Sequence, residues 1–436
     1  MYQTITQCRV CNNTQLAEVL DLGTQALTGV FPKTRNQQVT SGPLKLVKCT
    51  GAGDVCGLLQ LQHTYDLGEL YGDNYGYRSG LNTSMVAHLH AKVRRILDRV
   101  KLGEGALIVD IGANDSTTLQ AYPKDGCVLV GIDPTGAKFE RFYPPHIQLI
   151  PDFFSAETVR RHLGNRKATV VTSFSMFYDL ERPLEFMKEV CEVLDEHGVW
   201  VLEQSYMPTM LRMNSYDTVC HEHLEYYALK QIKWMTDRVG LQIIDVEFND
   251  VNGGSFSVML AKRGSPYGES PQVARILDKE AQEGLDTLRP YQAFARRVAA
   301  SREAMRAFLD DARKSGKSVH ALGASTKGNV LLQYCNITEA DISRVGEVNA
   351  DKFECFTPGT LLPIIAEDEI LASRPDYLVV LPWHFRSFFV NHPKFSGLNL
   401  VFPLPDLTVV SSTKLSRAAD ERRRAKETAE HTLGSP

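Results

Sequence analysis

The 436-residue chain is predicted to be an α/β protein in three parts: a small N-terminal cysteine module, a central doubly wound domain and a second, C-terminal α/β domain. Three observations predict this. Ala106-Leu-Ile-Val-Asp-Ile-Gly-Ala-Asn-Asp-Ser-Thr-Thr-Leu119 passes from an apolar, partly β-branched run through a glycine turn to helix-capping residues. Strand-like and helix-like segments then alternate to about Arg263. A second strand-turn-helix unit opens at Ser318-Val-His-Ala-Leu322 and turns through Gly323-Ala-Ser-Thr-Lys-Gly-Asn329.

Bulk composition bounds the reading. With 43% hydrophobic and 23% charged residues, the chain is of soluble globular type and long enough for two or three cores. A formal charge of -4 gives no basis for general affinity toward nucleic acid or acidic membranes. No apolar run is long enough to span a bilayer, and the first eight residues lack the basic and apolar parts of a signal peptide. A cytoplasmic protein is expected, with nine cysteines serving as thiols or metal ligands rather than disulfides.

Residues 1–66 read as the small module. Cys8 and Cys11 have C-x2-C spacing, and Cys49 and Cys56 form a wider pair. Two sulfurs of a C-x2-C turn can face one tetrahedral ion, so a structural Zn2+ on all four cysteines is expected. Its role is to hold a module too small to build much core.

Residues 67–265 form the central domain, which begins with a glycine- and tyrosine-rich stretch at 71–80. Such a stretch makes a poor core but a good lid or substrate loop, with Tyr75, Tyr77 and Arg78 as its chemically useful members. A helix follows from about Asn82 to Val100. Strands are expected at Leu107–Asp110, Val128–Asp133, Thr169–Ser173, Gly198–Glu203 and Ser255–Ala261.

At the first strand end Asp110 is followed by Gly112, which allows a tight turn. Asn114 and Asp115 can then cap a helix starting near Ser116. The next strand ends in Asp133, where an acid typically holds ribose hydroxyls. These two strand ends resemble the S-adenosylmethionine site of Rossmann-like class I methyltransferases. The resemblance implies that Asp110 and Gly112 lie by the methionine portion, that Asp133 grips the ribose, and that Asn114 also belongs to the cofactor site. Asp152, Phe153 and Phe154 would lie near the adenine.

Between the fourth and fifth of these strands lies Tyr216-Asp-Thr-Val-Cys-His-Glu-His-Leu-Glu-Tyr-Tyr227. No further His/Cys cluster supports a second metal there. An acid–base role fits better, because a histidine near its ordinary pKa of about 6.5 accepts a proton at neutral pH. If the segment is extended, His221 and His223 share a face and Glu222 takes the other; if it is a tight turn, all three can converge.

Residues 266–317 read as a helical connector with Pro290 starting or dividing a helix, and residues 318–415 as the C-terminal α/β domain. In its first turn Ser325, Lys327 and Asn329 suit a phosphate, through helix-start N–H groups and the lysine charge. The charged tail, 416–436, lacks apolar periodicity.

The order of these features resembles the zinc-containing sugar C-methyltransferases that act on nucleotide-linked 4-keto deoxysugars. It consists of four cysteines, a cofactor edge, His-Glu-His and Gly-x-Ser-x-Lys-Gly-Asn. Further matches are Tyr77-Arg-Ser-Gly80, Phe177-Tyr-Asp-Leu180, Glu203 with Tyr206, and Asn252-Gly-Gly-Ser255. The resemblance implies methyl transfer from S-adenosylmethionine to sugar carbon 3. His223 would be the base, Glu222 and Tyr77 its neighbours, and the C-terminal domain would hold the diphosphate. A nucleotide-diphosphate sugar is the expected partner of a monomer or small homo-oligomer. The chain departs from the family pattern at Cys220, where a tyrosine is usual, at Ser116, where glycine is usual, and in the widened second cysteine pair. Two other readings stay open: a small-molecule O- or N-methyltransferase, and a macromolecule methyltransferase or binding protein docked through the zinc module.

Overall fold

The computed structural model describes residues 2–71 and 78–411, with Leu67 and Tyr71 by backbone alone. Two compact units form, neither from one run of sequence. The first comprises Met1–Leu20, Lys45–Met210 and Glu222–Pro290; the second comprises Asp21–Leu44, Leu211–His221 and Tyr291–Pro436.

The first unit is built on a seven-stranded sheet in the order Leu241–Asn249, Ser255–Lys262, Leu194–Ser205, Ala168–Phe174, Ala106–Ile111, Cys127–Ile132, Ile147–Ile150. Ser255–Lys262 runs antiparallel to both of its neighbours, and the other pairings are parallel. All six residues of Ala106–Ile111 are buried, as a central parallel strand requires. From this strand the chain builds outward in one direction and then returns to its other side with Ala168–Phe174. The switch point therefore opens a ligand crevice at the carboxyl edge beside Asp110.

The expected helix is present as Thr83–Arg99, capped by the Asn82 carboxamide, which accepts from Ser84 N at 3.0 Å. Its Val93 and Ile96 pack with Ile108, Val170, Val199 and Val201 of the sheet. Burying each such side chain contributes roughly 1.5–3 kcal/mol. Leu241–Asn249 lies outside the expected strands because Asp245, Glu247 and Asn249 interrupt its apolar pattern. Those acids instead pair with the helix: Arg95 meets Asp245 at 2.5 Å and Lys92 meets Glu247 at 2.9 Å.

The helix expected near Ser116 does not form. Asn114 and Ser116 have φ of 49° and 63°, and left-handed residues do not propagate a right-handed helix. Only a 3₁₀ turn, Leu119–Ala121, follows. Asp115 favours the local turn by accepting from the Thr117 hydroxyl at 2.5 Å.

The four cysteines belong to this unit, within residues 1–20 and 45–66, whereas residues 21–44 of the expected module belong to the second. The strand Leu59–Leu61 pairs antiparallel with Glu225–Tyr226 on one side and with residues 46–48 on the other.

The second unit carries a six-stranded sheet in the order Ile364–Ala366, Val345–Glu347, Val319–Leu322, Tyr377–Val380, Asn399–Phe402, Thr408–Ser411. All pairings are parallel except the last. Val319–Leu322 leads into the helix Thr326–Tyr334. The segment Asp21–Leu44 lies against that helix. Ala26 N donates to Gln333 Oε1 at 2.7 Å, and the Asn329 amide donates to Thr28 O at 2.8 Å. Among the described residues no helix is long and apolar enough to cross a membrane.

Candidate active site

The sulfurs of Cys8, Cys11, Cys49 and Cys56 all lie within 4.8 Å of one another, and the closest pairs are 3.5 Å apart. A tetrahedral ion with Zn–S bonds of about 2.3 Å places its sulfurs about 3.8 Å apart, so the cluster fits zinc. The knuckle is shaped by Asn12, whose φ is 58° and whose N–H donates to Cys8 O. The neighbouring Cys11 and Cys49 sulfurs, and then burial, push the Cys8 thiol up. A dication reverses that pressure and favours thiolates. Four protein ligands close the coordination sphere, which makes the site structural.

At the carboxyl edge of the first unit's sheet, Asp110 is fully enclosed. Burial pushes its carboxyl up to about 7, against the hydrogen bonds from Thr172 and Thr118 and with help from the Asp133 charge. The Thr172 hydroxyl donates to it at 2.5 Å. None of these neighbours is a cation, so a positively charged ligand would offset the burial cost. S-adenosylmethionine carries both a sulfonium and an ammonium, and it fits that requirement. Asp133 is ordered from both sides: Oδ2 accepts from Asn114 N at 2.7 Å, and Oδ1 from Thr135 N at 2.7 Å and the Thr135 hydroxyl at 2.6 Å. An ionised carboxylate has about four acceptor positions, which leaves capacity for a ribose hydroxyl. Gly112 has φ of 72°, and an added Cβ would press on Met176 at 3.2 Å.

The segment after residue 77 is fastened to this turn. Ser79 N donates to Asn114 Oδ1 at 3.0 Å and Gly80 N to Asp115 Oδ2 at 2.9 Å. Arg78 reaches Asp115 at 3.8 Å and lies 4.1 Å from the Phe142 ring centroid. Arg78 is thus placed beside the turn that follows Asp110. Tyr75 and Tyr77 lie outside the described residues. Of the expected adenine-side group, Phe154 packs on Phe186 at 5.1 Å between centroids, and Phe153 is exposed. Asp152 meets Arg161 at 3.1 Å.

The His-Glu-His triplet opens on a turn and is divided between the units. His221 belongs to the second. It is fully buried, its Nε2 lies 3.4 Å from Gly42 O, and burial lowers its pKa to about 4. Glu222 and His223 belong to the first unit and are half-buried. The His223 ring meets Tyr178, and its backbone carbonyl accepts from the Tyr226 hydroxyl at 3.1 Å. The structure therefore places His223 in the same unit as Asp110 and Asp133, and seals His221 in the other.

In the second unit the Ser325 hydroxyl caps the helix by accepting from Gly328 N at 3.0 Å, and the buried Asn329 side chain holds Thr28. Both residues are engaged in local structure. Lys327 is half-buried among Asp217 and His384. Burial raises Asp217 and the Lys327 charge draws it back; burial and then Lys327 lower His384 to about 3.

Sequence reasoning missed one cluster at the sheet edge. Glu203 accepts from or pairs with His88 at 2.5 Å, Lys92 at 2.6 Å and Asn249 at 2.9 Å. Burial would raise the Glu203 carboxyl, but His88 and Lys92 outweigh it and hold it below its ordinary range. In the sequence Glu203 stands out only as a family match. Its partners come from a helix and a strand distant in sequence, so no local spacing signals them. Nearby, Asn252-Gly-Gly-Ser255 makes a tight turn: an added Cβ on Gly254 would fall 2.3 Å from Thr209.

Three family models match the chain in succession: a zinc binding domain over residues 8–71, a methyltransferase domain over 85–246, and a C-methyltransferase C-terminal domain over 250–405. Among known proteins, the chain is similar to C-methyltransferase NovU of Streptomyces niveus, with 28% identity over 415 residues. That alignment covers 94% of this chain and 97% of NovU. Among solved structures, the N-methyltransferase NodS from Bradyrhizobium japonicum aligns at a TM-score of 0.30 and 13% identity, over 42% of this chain and 98% of that one. The YcgJ protein from Bacillus subtilis aligns at 0.32 and 12%, over 40% and 99%. Neither score is high enough to bear on function.

Proposed function

We propose that the chain is a zinc-containing, S-adenosylmethionine-dependent C-methyltransferase that methylates carbon 3 of a nucleotide-linked 4-keto deoxysugar, a reading supported by the matches to three successive family models and to NovU. The observation that carries this reading is His223. It is half-buried in the unit that bears the acidic cofactor edge, whereas His221 is sealed and neutral.

A carbon nucleophile is weak until it loses a proton, and an adjacent ketone makes that loss feasible by forming an enolate. In this proposal the His223 imidazole accepts the carbon-bound proton, and Glu222 binds a sugar hydroxyl or orients the ring. Bound S-adenosylmethionine supplies an electrophilic methyl group. The enolate carbon would take that methyl group, leaving the electron pair of the broken bond on sulfur. Asp110 would hold the cationic end of the cofactor, and Asp133 its ribose. Lys327 is proposed to contact a diphosphate oxygen. The zinc cysteines take no part in the chemical step.

The test is mass spectrometry of products formed from isotope-labelled S-adenosylmethionine and a panel of 4-keto nucleotide sugars. The proposal expects one labelled methyl bonded to carbon. Label on oxygen or nitrogen would refute it.

A further inference from the structure

We infer that Arg9 and Glu225 are positioning residues, which carry the fixed geometry of the cysteine knuckle to the segment holding His223. The inference rests on the reading of His223 as the base.

Arg9 sits between two of the sulfur ligands, Cys8 and Cys11, so closure of the knuckle on one ion fixes its backbone. Its side chain is only 3% exposed, and a guanidinium cannot shed its proton. Burial of such a charge is tolerated only where its donors are met. They are met on the strands beside the knuckle. Arg9 donates to Leu61 O at 2.5 Å, His63 O at 3.2 Å and the Thr64 hydroxyl at 2.8 Å. Its Nε lies 3.8 Å from Glu225 Oε1, on a side chain with no exposure at all. Among the described residues the two Glu225 oxygens have no hydrogen-bond partner; burial raises this carboxyl well above its ordinary range, and the Arg9 charge is what draws it back.

Leu61 joins the two regions. Its carbonyl accepts from Arg9, and its N–H donates to Leu224 O at 2.8 Å. Leu224 follows His223 directly, and its own N–H donates to Tyr178 O at 2.8 Å. The residue after the base is therefore held from both sides, by the knuckle's strand and by the residue whose ring packs on His223. Glu225 pairs with Gln60 in the ladder. Gln231 then closes the far end of the segment by donating to Cys56 O at 2.9 Å and receiving Ala228 N at 2.9 Å. A module needed only for its own fold would not require a buried arginine whose contacts run through Leu61 to this segment.

The test is hydrogen–deuterium exchange of the peptide spanning residues 222–228, in zinc-loaded full-length protein, for wild type, Arg9→Gln and Glu225→Gln. Zinc content, S-adenosylmethionine affinity and steady-state kinetics are measured on the same samples. Both variants should keep one zinc per chain and wild-type cofactor affinity, yet exchange at least about tenfold faster in that peptide. Turnover should fall roughly 10–100-fold with KM nearly unchanged, because small displacements of a reacting group are costly. Arg9→Lys, which keeps the charge but not the fork, should recover part of the protection. If Arg9→Gln loses zinc, Glu225→Gln decides, since it lies away from the ligands. Unchanged exchange with zinc bound overturns the inference even if turnover falls. Faster exchange at full turnover leaves the coupling intact and removes His223 as the base.

Discussion

The ring of His223 meets the ring of Tyr178 at 62°, with centroids 4.4 Å apart. Such an edge-to-face contact limits imidazole rotation while leaving the ring half-buried. His221, two residues earlier, has no exposure and a pKa lowered to about 4 by burial. Two histidines indistinguishable by spacing are thus separated by environment: burial seals His221 and holds it neutral, whereas His223 is half-buried.

The zinc site gives a direct prediction. Purified protein should contain one zinc per chain, and Cys11→Ser should lose most of it. Urea unfolding should show a large loss of stability, because binding energy at a structural zinc site is folding energy. Full zinc content in Cys11→Ser would remove Cys11 from the ligand set.

Asp133→Ala should weaken S-adenosylmethionine binding by roughly 1–3 kcal/mol, the cost of leaving buried hydroxyls without an acceptor. The Asn114 N–H would also lose its partner, so the turn should loosen. Isothermal calorimetry at wild-type affinity would count against the ribose assignment.

Asp110 predicts a pH dependence. Its folded carboxyl is raised from the ordinary 3.8 to about 7, chiefly by burial. Between those values the folded chain holds a proton that the unfolded chain lacks, so stability should fall as pH rises through this window. A cationic ligand favours the ionised form, so cofactor affinity should rise with pH toward and past 7. Asp110→Asn should flatten both profiles, measured by urea unfolding and by calorimetry.

Much of this was legible beforehand. The apolar runs ending at Asp110 and Asp133 read as buried parallel strands because neither face of such a strand meets water. The helix expected from Ser116 was misread because serine, asparagine and aspartate cap helices and also form left-handed turns; here the turn prevails. Asp21–Leu44 gave no sign of joining the second unit, since its partners Asn329, Gln333 and Phe356 lie about 300 residues away. The Glu203 cluster was hidden for the same reason. Local pattern reports periodicity and caps; it does not report which distant side chain satisfies a buried acid.

Lys327→Ala should raise the KM for the nucleotide sugar while leaving cofactor affinity unchanged, if the lysine reads a diphosphate. The substitution also removes the charge that draws the buried Asp217 down. Equal weakening of both ligands would show that Lys327 supports the fold instead.

The most direct test of the central claim is solvent deuterium exchange at carbon 3 of a 4-keto nucleotide sugar, without S-adenosylmethionine, followed by NMR. Wild-type enzyme should exchange the carbon-bound proton. His223→Asn, which preserves shape and hydrogen bonding, should lose that exchange and lower kcat by roughly 10²–10⁴-fold. Methylation by His223→Asn at the wild-type rate would contradict the account and assign proton removal to another residue.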